Sequence, residues 1–206
     1  CLFATACAGA FSMGGMAMSE ELLVRNCAPT LAGLKTGNLF SCPYTCREEV
    51  LDFLRRFNRR LGHKGIRAIP LRFSGKKALI YLYRPSRLEE DLSKSLSGAL
   101  LRQCGYSCQD GNGCLRKLAQ RLRQQEDFPH EIGLFLSYPA EDVQGFLEHR
   151  PCKCTGCWKV YENEEKAQKT FAMYRTCTKI YCQQYAKGTN MERLTVAGQT
   201  NKKEGT

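Results

Sequence analysis

The residues best suited to chemistry are five cysteines near the C-terminus of this 206-residue chain: Cys152, Cys154, Cys157, Cys177 and Cys182. The two-residue gap between Cys154 and Cys157 lets both sulfurs face one ion, and Gly156 suits the tight turn. With Cys177 and Cys182 the spacing is C-x2-C-x19-C-x4-C, near the range of zinc sites. Four thiolates hold either Zn2+ or an iron–sulfur cluster. The spacing therefore predicts zinc or a cluster, and redox thiols or buried packing remain as alternatives.

The choice of the fourth ligand depends on the helix that carries Cys177 and Cys182. On one continuous helix these two residues face different directions. The sequence predicts a helix over residues 163–174 and a second over residues 178–187, which places Cys177 in the turn between them. Cys152 is the substitute ligand if Cys182 points away.

His130 and Glu131 form the best candidate for acid–base chemistry. Histidine titrates near neutral pH, and a neighbouring carboxylate can orient it or bind a metal. The apolar run 132–138 that follows predicts a buried strand, so the pair lies at a strand start. A hydrogen-bonded structural histidine is the alternative, because no H-E-x-x-H motif follows.

Positive charge is concentrated in the first two thirds of the chain. The segment 47–123 has eighteen Lys or Arg and seven Asp or Glu, which accounts for the whole formal charge of +11. Such a surface attracts nucleic acid, acidic partners or anionic cofactors. The candidate nucleic-acid contacts lie on two predicted helices and must form one continuous face: Arg55, Arg56, Arg59, Arg60, Arg116, Lys117 and Arg121. Tyr81 and Tyr83 share one strand face, where they either stack bases or pack in the core.

Two nucleotide-binding motifs are missing. Residues 72–77 contain Gly-Lys but lack the upstream Gly and the following Ser or Thr of a phosphate-binding loop, and no G-x-G-x-x-G occurs. Nucleotide hydrolysis and Rossmann-type dinucleotide binding are therefore disfavoured.

The helices and strands that the sequence predicts indicate an α+β fold. Helices surround a small, largely antiparallel sheet, and a helical, cysteine-rich segment follows at the C-terminus. A helix from Ser19 is interrupted at Pro29 and resumes to Lys35, followed by a loop. Residues 45–61 predict an amphipathic helix, and residues 66–73 and 78–83 a β-hairpin. A capping box at Ser86 starts a helix that breaks near Gly98. Further helices are predicted around 115–122 and from Pro139 to about Glu148.

The domain organisation follows from these changes in composition. We predict an upstream leader over residues 1–18, with the natural start at Met18, and a basic α+β domain over 19–149. A cysteine-rich helical subdomain over 150–197 packs on it, and residues 198–206 form a flexible tail. A clipped signal peptide is the rival reading of the leader, but no basic segment precedes its apolar part. Thirteen cysteines without a bilayer-spanning run favour a reducing, cytoplasmic location and no membrane insertion.

Several motifs together resemble the bacterial domain-of-unknown-function family numbered 3793, found mainly in anaerobic Firmicutes. They are residues 26–35 (NCAPTLAGLK), 83–85 (YRP), 130–136 (HEIGLFL) and 154–161 with Cys177. The resemblance covers roughly residues 19–197 and implies no established activity. It associates such proteins with flavodoxins and ferrous-iron uptake proteins, which implies iron or redox biology and a flavodoxin-like partner.

Overall fold

A computed structural model describes residues 18–124 and 128–198. The helices are α1 (Glu20–Leu31), α2 (Arg47–Leu61), α3 (Pro85–Ser93), α4 (Ser95–Gln103), α5 (Gly111–Gln124), α6 (Ile132–Phe135), α7 (Ala140–Leu147), α8 (Glu164–Ala186) and α9 (Met191–Leu194). The strands are β1 (Gly37–Pro43), β2 (Arg67–Ser74), β3 (Lys77–Tyr83), β4 (Cys154–Thr155) and β5 (Lys159–Val160). The predicted leader and tail lie outside the described residues, apart from Met18 and Gly198.

A three-stranded antiparallel sheet, in the order β1-β3-β2, forms the middle layer. Strands β2 and β3 are joined through Gly75, whose φ of +57° suits a tight hairpin turn. Because side chains alternate along a strand, each strand has one set of apolar residues for each face. In β3, Ile80 and Leu82 point to one core and Tyr81 and Tyr83 to the other.

The first face of the sheet is covered by α1, α2, α9 and the second half of α8. Residues at helical spacing supply the apolar side, as in α2, where Val50, Leu54 and Phe57 are buried. Tyr181, Cys182 and Tyr185 of α8 pack against this core, with Met191 of α9 inside it.

The second face of the sheet is covered by α3, α4, α5, α6 and α7. Tyr81 and Tyr83 lie within this core with stacked rings, 4.9 Å between centroids. Both tyrosines are buried, so they are core residues and the base-stacking alternative is wrong.

A third, smaller core lies under the β4–β5 hairpin. Trp158 and Val160 of the hairpin pack against Ala167, Phe171 and Tyr174 in the first half of α8. Helix α8 therefore contributes to two cores along its length. Among the described residues, no helix has the length and apolarity needed to cross a bilayer.

The α+β fold class is confirmed, and so are the β2–β3 hairpin and helices α2, α5 and α7. Helix α1 continues through Pro29 instead of breaking there. A proline this close to a helix C-terminus removes one intrahelical hydrogen bond, and α1 buries Leu23, Cys27 and Leu31. The break expected near Gly98 is at Lys94, between α3 and α4.

Three other expectations were wrong. The loop after residue 37 is strand β1, which pairs along its whole length with β3. The run 132–138 is not a strand: it is the short helix α6 and a turn at Ser137, whose φ is +58°. A short apolar run does not distinguish a strand from a buried helix by periodicity. The two helices predicted around Cys177 are the single helix α8, since no Gly or Pro interrupts residues 164–186.

Candidate functional site

The cysteine-rich hairpin is held between α7 and α8 by one buried carboxylate. Asp142 accepts hydrogen bonds from the Trp158 indole (2.7 Å) and from the backbone N–H groups of Tyr161 (2.7 Å) and Glu162 (3.0 Å). On the other side, the Phe171 ring lies against the backbone of Gly156, where a Cβ atom would come within 2.1 Å of a ring carbon. Gly156 is therefore required by this close approach, and the loop that carries the thiols is fixed on both sides.

The thiol of Cys154 lies beside the first turns of α8. Its Sγ accepts a hydrogen bond from Gln168 Nε2 at 3.5 Å, and the Glu164 carboxylate is near enough to interact with the thiol. Desolvation and the Glu164 carboxylate, with a smaller effect from Cys152, raise the pKa of Cys154 against the lowering effect of the Gln168 hydrogen bond. Glu164 thus lies near the Cys154 thiol, and Cys152 acts on that thiol more weakly; we call these three residues the hairpin thiol cluster.

Of the other three predicted ligands, Cys157 lies in the β4–β5 hairpin, and Cys177 and Cys182 lie on α8. Cys157 acts electrostatically on Tyr174, which is about 9 Å further along the helix axis than Gln168 at 1.5 Å per residue. Cys177 is a buried residue of α8, and burial raises the pKa of its thiol to about 11. Cys182 packs against the first core. Since residues 168 and 177 are separated by about 13 Å of helix, the structure does not bring all five thiols together.

A ready-made metal site is absent from the part of the chain that the structure describes. No group of three or more His, Cys, Asp or Glu side chains there has the arrangement needed to hold an ion. Its eleven cysteines are all free thiols.

His130 and Glu131 are neighbours in the chain but lie in different surroundings. Glu131 is 2% exposed, accepts a hydrogen bond from Tyr106 Oη (2.9 Å) and pairs with Arg121 (3.2 Å). His130 is exposed and meets the Phe146 ring edge to face. Glu131 therefore balances a buried charge, and the structure provides no contact between the two side chains to support acid–base chemistry.

The two sets of basic residues lie on helices that cover opposite faces of the sheet. Arg55, Arg56, Arg59 and Arg60 belong to α2 on the first face; Arg116, Lys117 and Arg121 belong to α5 on the second. Several are paired: Arg55 with Asp52, Arg60 with Glu20 and Arg121 with Glu131. Arg116 lines an open groove of about 520 Å3 between α5 and Ile69 of β2. The nucleic-acid alternative requires one continuous basic face across these two helices, and it stays a prediction.

Sequence reasoning missed a polar junction between α1, α3 and the turn after α6. Thr36 Oγ1 donates to Asp91 at 2.5 Å, and the Thr36 N–H donates to Ser137 Oγ at 2.7 Å. Lys35, also buried, lies over the rings of Tyr138 and Tyr174. Nothing in the local sequence signals this junction, because its members are far apart in the chain.

A second missed residue is Arg84, which is 3% exposed. Its guanidinium donates to the carbonyls of Thr30, Leu31 and Val196 at 2.7–2.8 Å. A cation is favoured at the C-terminal end of a helix by the exposed carbonyls and the helix dipole. Arg84 therefore joins α1 to the segment after α9.

Two comparisons, with curated proteins and with solved structures, gave no match. A family model does match, over residues 23–195, and its description is "Protein of unknown function (DUF3793)". This range includes the sheet, the hairpin thiol cluster and all but the first turn of α1. The chain therefore belongs to the DUF3793 family.

Proposed function

We propose that this protein binds a soft divalent metal ion, with Zn2+ as the best fit, through Cys152, Cys154 and Glu164. The observation that supports this function is the position of the Glu164 carboxylate near the Cys154 thiol, on which Cys152 also acts. Thiolate sulfur and carboxylate oxygen are both zinc ligands. Cys152 is exposed at the start of the hairpin, and metal binding has to draw it toward the other two.

Zinc suits this cluster better than an iron–sulfur cluster does. The common clusters are held by four thiolates, and Cys177 and Cys182 lie too far along α8 to join Cys154. Three protein ligands with one open position are typical of zinc sites that also bind water or a substrate. A role of this metal site in iron or redox metabolism then depends on what occupies the open position.

Cobalt binding provides the test, because Co2+ takes zinc sites and its thiolate complexes absorb light. Reduced protein is titrated with Co2+ without oxygen, and Zn2+ is then used to displace it. We expect Cys152→Ser and Cys154→Ser each to weaken binding at least tenfold and to reduce thiolate-to-metal absorption, and the double variant to remove it. Glu164→Gln should weaken binding while the absorption of the bound form remains.

Cys46→Ser is the matched control. The Cys46 thiol also donates to a carboxylate, that of Glu48 at 3.2 Å, but it does not belong to the hairpin thiol cluster. Unchanged binding in this variant, together with loss in the two hairpin variants, supports the proposal. Equal binding in the wild type and in both hairpin variants contradicts it.

A further inference from the structure

The connection between α4 and α5 carries a second group of thiols, separate from the hairpin. Cys104 ends α4, Cys108 lies in the loop and Cys114 in the first turn of α5. Cys108 and the buried Cys114 pack in the same core, and their thiols are near enough to interact. Burial and the neighbouring Cys108 thiol raise the pKa of Cys114 to about 12, so Cys114 keeps its proton at neutral pH.

The backbone around these two thiols is fixed. Asp110 Oδ1 accepts from the N–H of Gly113 at 2.6 Å, and Glu89 Oε2 accepts from the N–H of Gly111 at 2.7 Å. A Cβ atom at Gly113 would be 3.1 Å from the Cβ of Cys108. The absence of a side chain at Gly113 thus lets Cys108 approach the first turn of α5.

We propose that Cys108 and Cys114 form a redox-active dithiol that reduces low-molecular-weight disulfides. A disulfide needs the two Cβ atoms to be close, and the Cys108 Cβ lies 3.1 Å from the Cβ position of Gly113, the residue next to Cys114. The proposal is independent of metal binding, because none of these residues belongs to the hairpin thiol cluster.

Exposure sets the order of the exchange. Cys108 is half-buried and Cys114 is buried, so the Cys108 thiolate attacks one sulfur of the external disulfide. The first external thiol leaves and takes up a proton, and a mixed disulfide remains on Cys108. Cys114 then loses its proton and attacks Cys108 Sγ, which releases the second thiol. One external disulfide becomes two thiols, and the two protein thiols become one disulfide.

Cys104 serves as the matched control because it lies in the same connection between α4 and α5 but makes different contacts. Burial and the Glu131 charge raise the pKa of its thiol, and its carbonyl accepts from the Arg121 guanidinium. Trypsin cleaves after Arg102 and Arg116, so a single peptide, residues 103–116, contains all three cysteines. One measurement therefore compares the three thiols.

The experiment equilibrates the full chain in glutathione buffers of increasing oxidised fraction, blocks free thiols by alkylation and maps the peptide by tandem mass spectrometry. We expect wild type and Cys104→Ser to give a Cys108–Cys114 disulfide, two hydrogen atoms lighter than the dithiol. Cys108→Ser should lose it, and Cys114→Ala should instead accumulate glutathione on Cys108. Circular dichroism checks that each variant is folded.

The disulfide measured in the wild-type protein tests the proposal even where a variant fails to fold. A Cys108–Cys114 disulfide that rises with the oxidised fraction of the buffer supports the proposal. Fully alkylated Cys108 and Cys114 in every buffer overturn it, and so does a disulfide that pairs Cys104 with either of them.

Discussion

At the scale of single residues, the hairpin thiol cluster has a protonation state that governs its chemistry. The pKa of Cys154 is raised by its surroundings, so the thiol is protonated at neutral pH and a metal must displace that proton. Metal affinity then rises with pH as long as the free thiols are protonated.

We therefore predict that zinc affinity increases between pH 6 and 7 by about tenfold for the proton that the metal displaces from Cys154. Competition with a chelator of known pH dependence measures this slope. Cys154→Ser should reduce the increase. An affinity that does not change with pH contradicts thiolate ligation.

Arg84 supports a second prediction at this scale. Arg84→Met keeps the aliphatic part of the side chain but leaves the carbonyls of Thr30, Leu31 and Val196 without the guanidinium. The Thr30 and Leu31 carbonyls keep backbone donors, whereas the Val196 carbonyl loses the guanidinium. A carbonyl left unsatisfied costs about 1–3 kcal/mol, so we expect a loss of about 1–3 kcal/mol in the free energy of unfolding by urea. Arg25→Met, at an exposed ion pair with Glu21, should change it by less than about 0.5 kcal/mol.

At the scale of elements, the fit of the hairpin on α8 is specific. Gly156→Ala would place a Cβ atom 2.1 Å from the Phe171 ring, and overpacking of this kind costs about 1–3 kcal/mol. We expect that loss in urea unfolding, with weaker Co2+ binding because the hairpin is displaced. Gly62→Ala is the control: nothing lies within 4 Å of its Cβ position, and its φ of −59° suits alanine. The same unfolding curve for both variants would contradict the proposed fit.

Elements with strong local signals were predictable from the sequence, and those decided by tertiary contacts were not. The apolar stripe of α2 and the turn at Gly75 depend on neighbours in the chain, and both were predicted. Strand β1 depends on pairing with β3, which lies some forty residues away, and it was missed. Periodicity alone also failed at residues 132–138.

The candidate site was likewise predictable only in part. The hairpin cysteines were predictable as a group because they are close in the chain. Which of them meet was not predictable, because it depends on the single helix α8 and on the Glu164 and Gln168 side chains beside Cys154. The proximity of Cys108 to Cys114 and the burial of Glu131 depend on packing in the second core, which has no local signal.

At the scale of the whole molecule, α8 connects the small core under the hairpin to the large core on the first face of the sheet. Phe171 and Tyr174 belong to the former, whereas Tyr181, Cys182 and Tyr185 pack against the latter. Helix α8 is continuous through both cores, and this favours cooperative unfolding. Unfolding the helix at either end exposes apolar side chains that it buries in one of the two cores. The division at residue 150 into a domain and a subdomain stays a prediction.

We predict that the molecule unfolds in one transition and that Phe171→Ala shifts all of it. The only tryptophan of the chain, Trp158, lies 4.5 Å from Phe171 between ring centroids, so its fluorescence reports the hairpin core, while far-ultraviolet circular dichroism reports all helices. The substitution should cost about 3–5 kcal/mol and move both urea curves together. Met173→Ala, exposed on the same helix, should leave both curves within about 0.5 kcal/mol of wild type. If the fluorescence curve alone moves to lower urea, residues 150–197 unfold separately and the subdomain boundary is supported instead.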